Sequence, residues 1–310
     1  MINQNLKKIK IALIVVLIAL ICFAIFYFLK NTKTEINDFK PLRDENGKII
    51  IMTASFPVYD FAKEVGGDKV AVTLLLPPGL ESHSFKPTEK EMAKVASSSL
   101  VFYNSFLAEP WLEDFSLSFG DNIKFIAVGD SLIEGNDPHV WLDFEKAGLM
   151  VDSIKEVYQS VDSVNYDYYQ DQAEAYKQEL ISLDEQYSTT LQNCQFRNLV
   201  QGGHQAFAYL AKRYNLNYLS SHGPEPKTDM DINRFEEQVQ NIKDSGQGYV
   251  FYEELIMPSL AEAIRQQTNA KMIMLNAAHN VGRFDIEGGL TFIKIMRNNL
   301  DSLKLALSCQ

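Results

Sequence analysis

The sequence predicts an α/β fold of two β/α lobes with parallel sheets, joined by a long rigid helix. Short apolar segments alternate with helical segments in both the first and the last third of the 310-residue chain, and this alternation is typical of parallel sheets with helical crossovers. Between them, residues 166–192 contain neither proline nor glycine. A helix of that length extends for about 40 Å, too far to lie within one small lobe.

The first 30 residues differ from the rest of the chain. They carry four lysines and no acidic residue, and Ile11–Leu29 is an unbroken apolar run. As a helix this run spans about 28 Å, close to the hydrocarbon thickness of a bilayer, and the lysines before it favour a cytoplasmic N-terminus. We therefore predict that residues 1–30 are a membrane anchor or signal segment that leads the rest of the chain out of the cytoplasm. Cleavage of this segment and lipidation at Cys22 are the alternatives.

The next segment, residues 31–47, is polar and charged, as expected of a tether between a membrane and a domain. An N-terminal lobe is predicted at residues 48–143. Its strands are expected at 48–54, 70–76, 100–103 and 123–128, with helices at 58–65 and 88–97. Gly66 and Gly67 end the first of these helices, and Thr88 with Glu91 forms a capping box that starts the second.

Linking helices are predicted at residues 144–193, and a C-terminal lobe at 194–310. In the linking part, helices are expected at 144–161 and 166–192. In the C-terminal lobe, strands are expected at 198–201, 217–219, 249–252 and 271–275, with helices at 205–214, 232–244, 258–267 and 286–307. Because ligands of open α/β sheets bind beyond the carboxyl ends of the strands, two such lobes facing each other would form a binding cleft.

Net charge restricts the possible partners, and the cysteines restrict the possible disulfide and metal motifs. Without its first 30 residues the chain carries 25 basic and 40 acidic side chains, a net charge of −15. An acidic body repels phosphate backbones, so no nucleic-acid partner is expected. Cys194 and Cys309 could pair outside the cytoplasm, although the sequence gives no distance between them. A Cys-x-x-Cys metal or redox motif is absent from the sequence.

Four of the five histidines occupy comparable places in the predicted fold. His83, His204 and His279 each follow a predicted strand, and His139 lies on a bend that Pro138 stiffens, just before the linking helices. Imidazole is the commonest metal ligand near neutral pH, and zinc takes four ligands in a tetrahedron. Closure of the lobes could therefore bring four imidazoles to one metal ion in the interlobe cleft. The spacings are not a local ligand motif, and each histidine alone also fits an ordinary hydrogen-bonding role.

The segments around three of these histidines are distinctive when they are taken together. Residues 78–87 read PGLESHSFKP, residues 137–143 read DPHVWLD, and residues 204–214 read HQAFAYLAKRY. Together they resemble the three histidine loops of the metal-binding solute receptors of ABC importers, the zinc and manganese cluster. Two further landmarks of that family match Glu225-Pro226 and Phe251–Glu253, and the resemblance covers about residues 48–308.

This resemblance implies an extracytoplasmic receptor that delivers Zn²⁺, its transported ligand, to a cognate ABC permease. It implies a monomer anchored to the outer face of the cell membrane, and not an enzyme. A manganese or iron receptor of the same family is the nearest alternative. A zinc-dependent hydrolase would need a general base such as Glu253, and the sequence has no His-Glu-x-x-His helix. An adhesin or a receptor for a metal chelate is a further alternative.

The fourth metal ligand is the point at which the chain departs from the family pattern. Members often carry Asp or Glu in the loop where this chain has Asn276 and then His279. A site of His83, His139, His204 and His279 suits zinc better than manganese, which prefers oxygen ligands. The alternative is that His279 packs against the preceding strand and that water or no fourth ligand completes the site. The fifth histidine, at position 222, lies in a turn-like segment and is predicted to be a surface residue, with a transient metal contact as the alternative.

Other residues are expected to support the imidazoles. A carboxylate on the second ring nitrogen fixes which nitrogen faces a metal, and the candidates for this role are Asp143, Glu253 and Glu225. As alternatives, these acids are exposed or pair with Arg213. The aromatic residues expected to wall the site, or else to serve as plain core residues, are Trp141, Phe85 and Phe207.

Overall fold

The structure, a computed structural model, describes residues 39–224, 229–254, 258–279 and 281–310. The predicted membrane segment and most of the tether fall outside these ranges. Within the described ranges, every helix is too short or too polar to cross a bilayer. The strands there form two four-stranded sheets, and all the pairings within them are parallel. The predicted α/β fold of two lobes is confirmed.

The N-terminal sheet has the strand order β2-β1-β3-β4. Its lobe contains β1 (Ile49–Thr53), α1 (Phe56–Gly66), β2 (Val70–Leu74), α2 (Glu89–Ala96), β3 (Leu100–Tyr103), α3 (Trp111–Leu117) and β4 (Lys124–Ala127). All four residues of β3 are buried, as expected for a parallel strand with both faces covered. The strand order reverses between β1 and β3, so a crevice opens at their carboxyl ends.

Two helices follow the N-terminal lobe. They are α4 (Phe144–Val161) and α5 (Tyr166–Leu191). The Asp143 carboxylate caps α4 by accepting hydrogen bonds from the backbone N–H groups of Glu145 and Lys146. The 26 residues of α5 give it a length of about 40 Å, as the sequence predicts.

The C-terminal sheet repeats the topology of the first, with the order β6-β5-β7-β8. Its lobe contains β5 (Asn198–Gln201), α6 (Ala208–Arg213), β6 (Asn217–Ser220), α7 (Ile232–Ser245), β7 (Tyr249–Glu253), α8 (Ser259–Thr268), β8 (Lys271–Leu275), α9 (Arg283–Glu287) and α10 (Phe292–Ala306). Here the order reverses between β5 and β7, which places the second crevice at the carboxyl ends of those two strands.

Several predicted helix bounds differ from the structure. The single closing helix predicted at 286–307 is two helices, α9 and α10, because Gly289 adopts a left-handed conformation with φ +72°. The helix predicted at 205–214 begins only at Ala208, because the N–H groups of Gln205 and Phe207 donate to Gly223 and Tyr218 instead. The sequence prediction missed α3 altogether.

One hydrophobic core runs through both lobes and the linking helices. It includes Phe61 of α1, Tyr176 of α5 and Phe292 of α10. Beside it, the buried carboxylate of Asp60 accepts hydrogen bonds from the Tyr176 hydroxyl and from the backbone N–H of Phe292, each at 3.0 Å. The two lobes are therefore joined by packing and hydrogen bonds as well as by the chain.

Cys194 and Cys309 form a disulfide bond across a sequence separation of 115. The bond ties the start of the C-terminal lobe, just after α5, to the end of the chain. An isolated antiparallel bridge pairs the same two residues. The sequence left this pairing open because the separation along the chain says nothing about the distance in space.

Candidate metal centre

Four loops bring one histidine each to the cleft between the lobes. His83 lies in the loop after β2, His204 after β5 and His279 after β8, while His139 precedes a single 3-10 turn that leads into α4. Three of the four thus lie beyond the carboxyl ends of parallel strands, where α/β sheets bind their ligands. The structure places all four where the sequence predicts them.

The four imidazoles form one compact group. One ligand atom from each ring can be chosen so that all lie within 4.8 Å of one another. Ring centroids are separated by distances from 4.9 Å, between His139 and His279, to 6.0 Å, between His83 and His204. His139, His204 and His279 are buried, and His83 is half-buried.

One contact within the group joins the two lobes. Nε2 of His139 lies 3.3 Å from Nε2 of His204. On the far side of each ring, Nδ1 meets a carboxylate oxygen at 2.6 Å, from Asp137 for His139 and from Glu253 for His204. An ionised carboxylate beside Nδ1 favours the tautomer that carries its proton there, and in that tautomer the Nε2 lone pairs of both rings point into the same space. Two nitrogens bound tetrahedrally to zinc lie about 3.3 Å apart.

His279 is held by a different set of contacts. Its Nδ1 lies 3.7 Å from Oε1 of Glu254, whose other oxygen accepts a hydrogen bond from the backbone N–H of Ala277. Trp141 packs edge-on against the His279 ring at 5.6 Å and donates its indole N–H to the Ala277 carbonyl. Nε2 of His279 is buried and has no hydrogen-bond partner among the described residues, so it is free to bind a metal ion.

His83 is oriented through its backbone rather than through its ring. The Glu81 carboxylate accepts hydrogen bonds from the backbone N–H groups of His83 and Ser84, each at 2.8 Å. Both ring nitrogens of His83 are buried and lack a hydrogen-bond partner within the described chain. Burial lowers the pKa of this imidazole to about 4, so the ring is neutral at physiological pH and its lone pair is available.

Burial also acts on the charge state of His139 and His279. It lowers the pKa of His139 and of His279 well below the usual value, and neighbouring imidazoles add to this effect. It also raises the pKa of Asp137 to about 7, and that of Glu254 well above its usual value. Neutral imidazoles and buried carboxylates together favour a divalent cation, which would compensate the carboxylate charge.

A glycine makes room for one of the carboxylates. Gly203 directly precedes His204, and a Cβ atom built on it would lie 2.0 Å from Oε1 of Glu253. The same oxygen accepts a hydrogen bond from the Gln201 amide at 3.2 Å. Any larger side chain at position 203 would displace Glu253 from His204.

Of the three acids predicted to support the imidazoles, one contacts a histidine in the structure. Glu253 contacts His204 as expected, whereas Asp143 contacts no imidazole: it caps α4 and pairs with Arg213 at 2.9 Å. Glu225 lies outside the described residues. The carboxylates that the sequence analysis missed are Asp137, two residues before His139, and Glu254, next to Glu253. The only signal for Asp137 was its place in an Asp-Pro-His segment, where an aspartate readily accepts the backbone N–H two residues later.

The predicted aromatic wall is partly correct. Trp141 contacts both His139, at 5.3 Å between ring centroids, and His279. Phe85 packs against Trp111 instead, at 5.0 Å, and Phe207 is a buried core residue. His222 is half-buried and does not belong to the group of four.

The chain matches a known protein family over most of its length. The family described as ZnuA, the periplasmic component A of a zinc-uptake complex, matches residues 51–306. The chain belongs to the ZnuA family. This confirms the resemblance inferred from the three histidine segments, and it favours a solute receptor over an enzyme.

Individual members of the ZnuA family and their structures agree with this assignment. The chain is 29% identical to the high-affinity zinc uptake protein ZnuA of Bacillus subtilis over an alignment of 308 residues. The alignment covers 92% of this chain and 95% of that protein. It resembles the Zn(II)-bound ZnuA-like domain of Streptococcus pneumoniae AdcA, with 28% identity, a TM-score of 0.73, and coverage of 84% of this chain and 99% of that one. The laminin-binding protein Lmb of Streptococcus agalactiae, described as having adhesin and metal-transporting activity, gives 28% identity, a TM-score of 0.76, and coverage of 83% and 99%.

Proposed function

We propose that this protein is an extracytoplasmic zinc receptor that binds one Zn²⁺ ion through His83, His139, His204 and His279. It passes the ion to a cognate ABC permease. The proposal includes attachment to the outer face of the cell membrane through residues 1–30, and a monomeric state. Its relatives include a zinc-uptake protein and a Zn(II)-bound domain, and both support zinc as the transported ion.

The observation that carries this proposal is the pair of facing nitrogens in the cleft. Nε2 of His139 and Nε2 of His204 lie 3.3 Å apart, and each imidazole has a carboxylate on its other nitrogen. Two buried lone pairs at this distance repel each other unless a cation or a proton lies between them. A divalent cation at this point would satisfy both lone pairs at once, and the depressed pKa of His139 disfavours a charged imidazolium in its place.

The chemistry of the ligand set favours zinc over the alternatives. Four neutral imidazoles suit zinc, whereas manganese prefers carboxylate, carbonyl and water oxygens. A catalytic zinc site keeps one position open for water, and four protein nitrogens would fill a tetrahedron. The ligand set therefore supports a carrier site rather than a hydrolase, and a manganese or iron receptor is the weaker candidate.

Titration calorimetry tests this function. The wild-type chain should bind one zinc ion, and a variant with His83, His139 and His204 all changed to alanine should bind none at that site. His222→Ala is the matched control, since His222 lies outside the group, and it should bind like wild type. Wild-type zinc stoichiometry and affinity in the triple variant would refute the site.

A further inference from the structure

Tyr209 connects the two halves of the metal centre through its hydroxyl group. The side chain is buried, with 4% of its surface exposed, and it lies on α6, in the segment that follows His204. Its hydroxyl donates a hydrogen bond to the Asp137 carbonyl at 3.1 Å and accepts one from the backbone N–H of Glu134 at 2.7 Å. Both of these backbone groups belong to the loop of the other lobe that carries His139.

The loop that Tyr209 holds is the one that orients His139. Oδ1 of Asp137 accepts a hydrogen bond from the backbone N–H of His139 at 3.1 Å and contacts Nδ1 of the ring at 2.6 Å. A shift of Asp137 would therefore move the imidazole with it. Because Tyr209 follows His204 on the same segment, its hydroxyl links the backbone behind one ligand to the backbone behind the other.

Ion pairs surround this contact but are poorly placed to replace it. Lys212, one turn further along α6, lies 2.5 Å from a Glu134 carboxylate oxygen, and Lys146 of α4 lies 3.0 Å from the other. The Lys212 and Glu134 side chains are 73% and 51% exposed, and exposed ion pairs contribute little. The buried hydroxyl makes hydrogen bonds to the backbone of Glu134 and of Asp137, two residues that also pair in an isolated antiparallel bridge, so it holds this bridged turn against α6.

We propose that Tyr209 is a positioning residue that fixes the separation of the His139 and His204 nitrogens before the metal ion arrives. This inference rests on the proposed zinc site. Two of the four ligands are then preorganised across the cleft, and only His83 and His279 need to adjust around the ion. Preorganisation lowers the cost of binding, and affinity changes of this kind act mainly through the dissociation rate.

The test compares Tyr209→Phe with Tyr249→Phe in the full-length chain. Tyr249 begins β7, at the opposite end of that strand from Glu253, so its variant is a matched control. Zinc dissociation, followed by transfer to a chromogenic chelator, should be about tenfold faster in Tyr209→Phe than in wild type, and unchanged in Tyr249→Phe. The visible spectrum of the Co²⁺ complex, which reports ligand geometry, should change only in Tyr209→Phe.

A purely structural role for Tyr209 would give a different result. The variant would lose stability without metal, yet its zinc dissociation rate and Co²⁺ spectrum would match wild type, and that outcome would overturn the proposal. Failure of the wild-type chain itself to bind zinc or cobalt would instead overturn the proposed function on which this inference depends.

A second pair of variants protects the test against a folding defect in Tyr209→Phe. Glu134→Pro and Glu134→Ala both remove the glutamate side chain. Only proline also removes the backbone N–H that donates a hydrogen bond to the Tyr209 hydroxyl. Ile133 has ψ 131°, a value that tolerates a following proline. Because proline also removes the N–H that pairs Glu134 with Asp137, both variants are also made in the Tyr209→Phe background. A smaller effect of proline on zinc dissociation in that background supports the proposal, and an equal effect in both backgrounds contradicts it.

Discussion

Oε1 of Glu254 lies 3.7 Å from Nδ1 of His279, and both side chains are only 8% exposed. This contact is longer than the 2.6 Å contacts that Asp137 and Glu253 make with His139 and His204. Three of the four imidazoles in the cleft therefore have an acidic side chain near Nδ1. In the proposed zinc site the cation would favour the ionised form of these acids, which would supply negative charge to four neutral ligands.

Removing the charge of Glu254 should weaken zinc binding. In Glu254→Gln an oxygen remains to accept the Ala277 N–H, but the charge near His279 is lost, and such supporting groups are worth about 10- to 100-fold in metal affinity. Competition with a zinc chelator measures the change. The control Glu262→Gln alters an exposed residue that pairs with Arg265 on α8, and it should bind like wild type. Equal affinities in both variants would rule out a role for Glu254.

Exchanging the fourth imidazole for a carboxylate should change the choice of metal. His279→Asp supplies an oxygen ligand, which manganese prefers and which zinc tolerates. We expect the ratio of zinc affinity to manganese affinity to fall in this variant, measured by titrating each metal against a common indicator. Asn217→Asp adds a carboxylate at the exposed first residue of β6, at the opposite end of that strand from the carboxyl edge, and should leave the ratio as in wild type. An unchanged ratio in His279→Asp would show that position 279 does not contribute to selectivity.

Asp60 should make the stability of the fold depend on pH. Burial raises the pKa of Asp60 from 3.8 to about 6, so the folded chain binds this proton more tightly than the unfolded chain does. Ionisation therefore opposes folding increasingly as the pH rises from about 4 to about 6, by on the order of 3 kcal/mol in total. The variant Asp60→Asn stays uncharged and should gain stability relative to wild type over that interval.

Denaturant unfolding at several pH values measures this difference. The comparison between the two proteins cancels the contributions of all other titrating groups that they share. A stability difference that stays constant from about pH 4 to about pH 7 would contradict the assigned pKa.

The disulfide should stabilise the fold without affecting the metal site. It closes a segment of 115 residues, and removal of a native disulfide typically costs about 2–5 kcal/mol. We expect the double variant Cys194→Ser/Cys309→Ser to lose stability in this range while its zinc affinity stays at the wild-type value. Reduced wild-type protein should unfold at the same denaturant concentration as the double variant. A fall in zinc affinity would show that the bridge also shapes the cleft.

Much of the fold was predictable from local patterns in the sequence. Short apolar segments between turn signals gave the strands, and the uninterrupted run at 166–192 gave α5. The places of His83, His204 and His279 in the fold followed, because loops after parallel strands lie at the carboxyl edge of a sheet. Helix bounds failed where a tertiary contact outweighed local propensity, as at Phe207, whose N–H donates to Tyr218 rather than continuing a helix.

The groups behind the ligands were harder to predict. Asp143 is close to His139 in sequence, but its carboxylate caps α4 and pairs with Arg213. Glu254 reaches His279 from a neighbouring strand end, and Tyr209 reaches Asp137 from the other lobe. Pairings of this kind depend on how two lobes face each other, and neither spacing nor composition encodes that relationship.

X-ray absorption at the zinc edge of the full-length, zinc-loaded chain identifies the atoms bound to the ion. We expect one zinc with four nitrogen ligands at about 2.0–2.1 Å and the scattering signature of imidazole for all four. A shell that contains oxygen or sulfur, or fewer than four imidazoles, would refute the proposed four-histidine site.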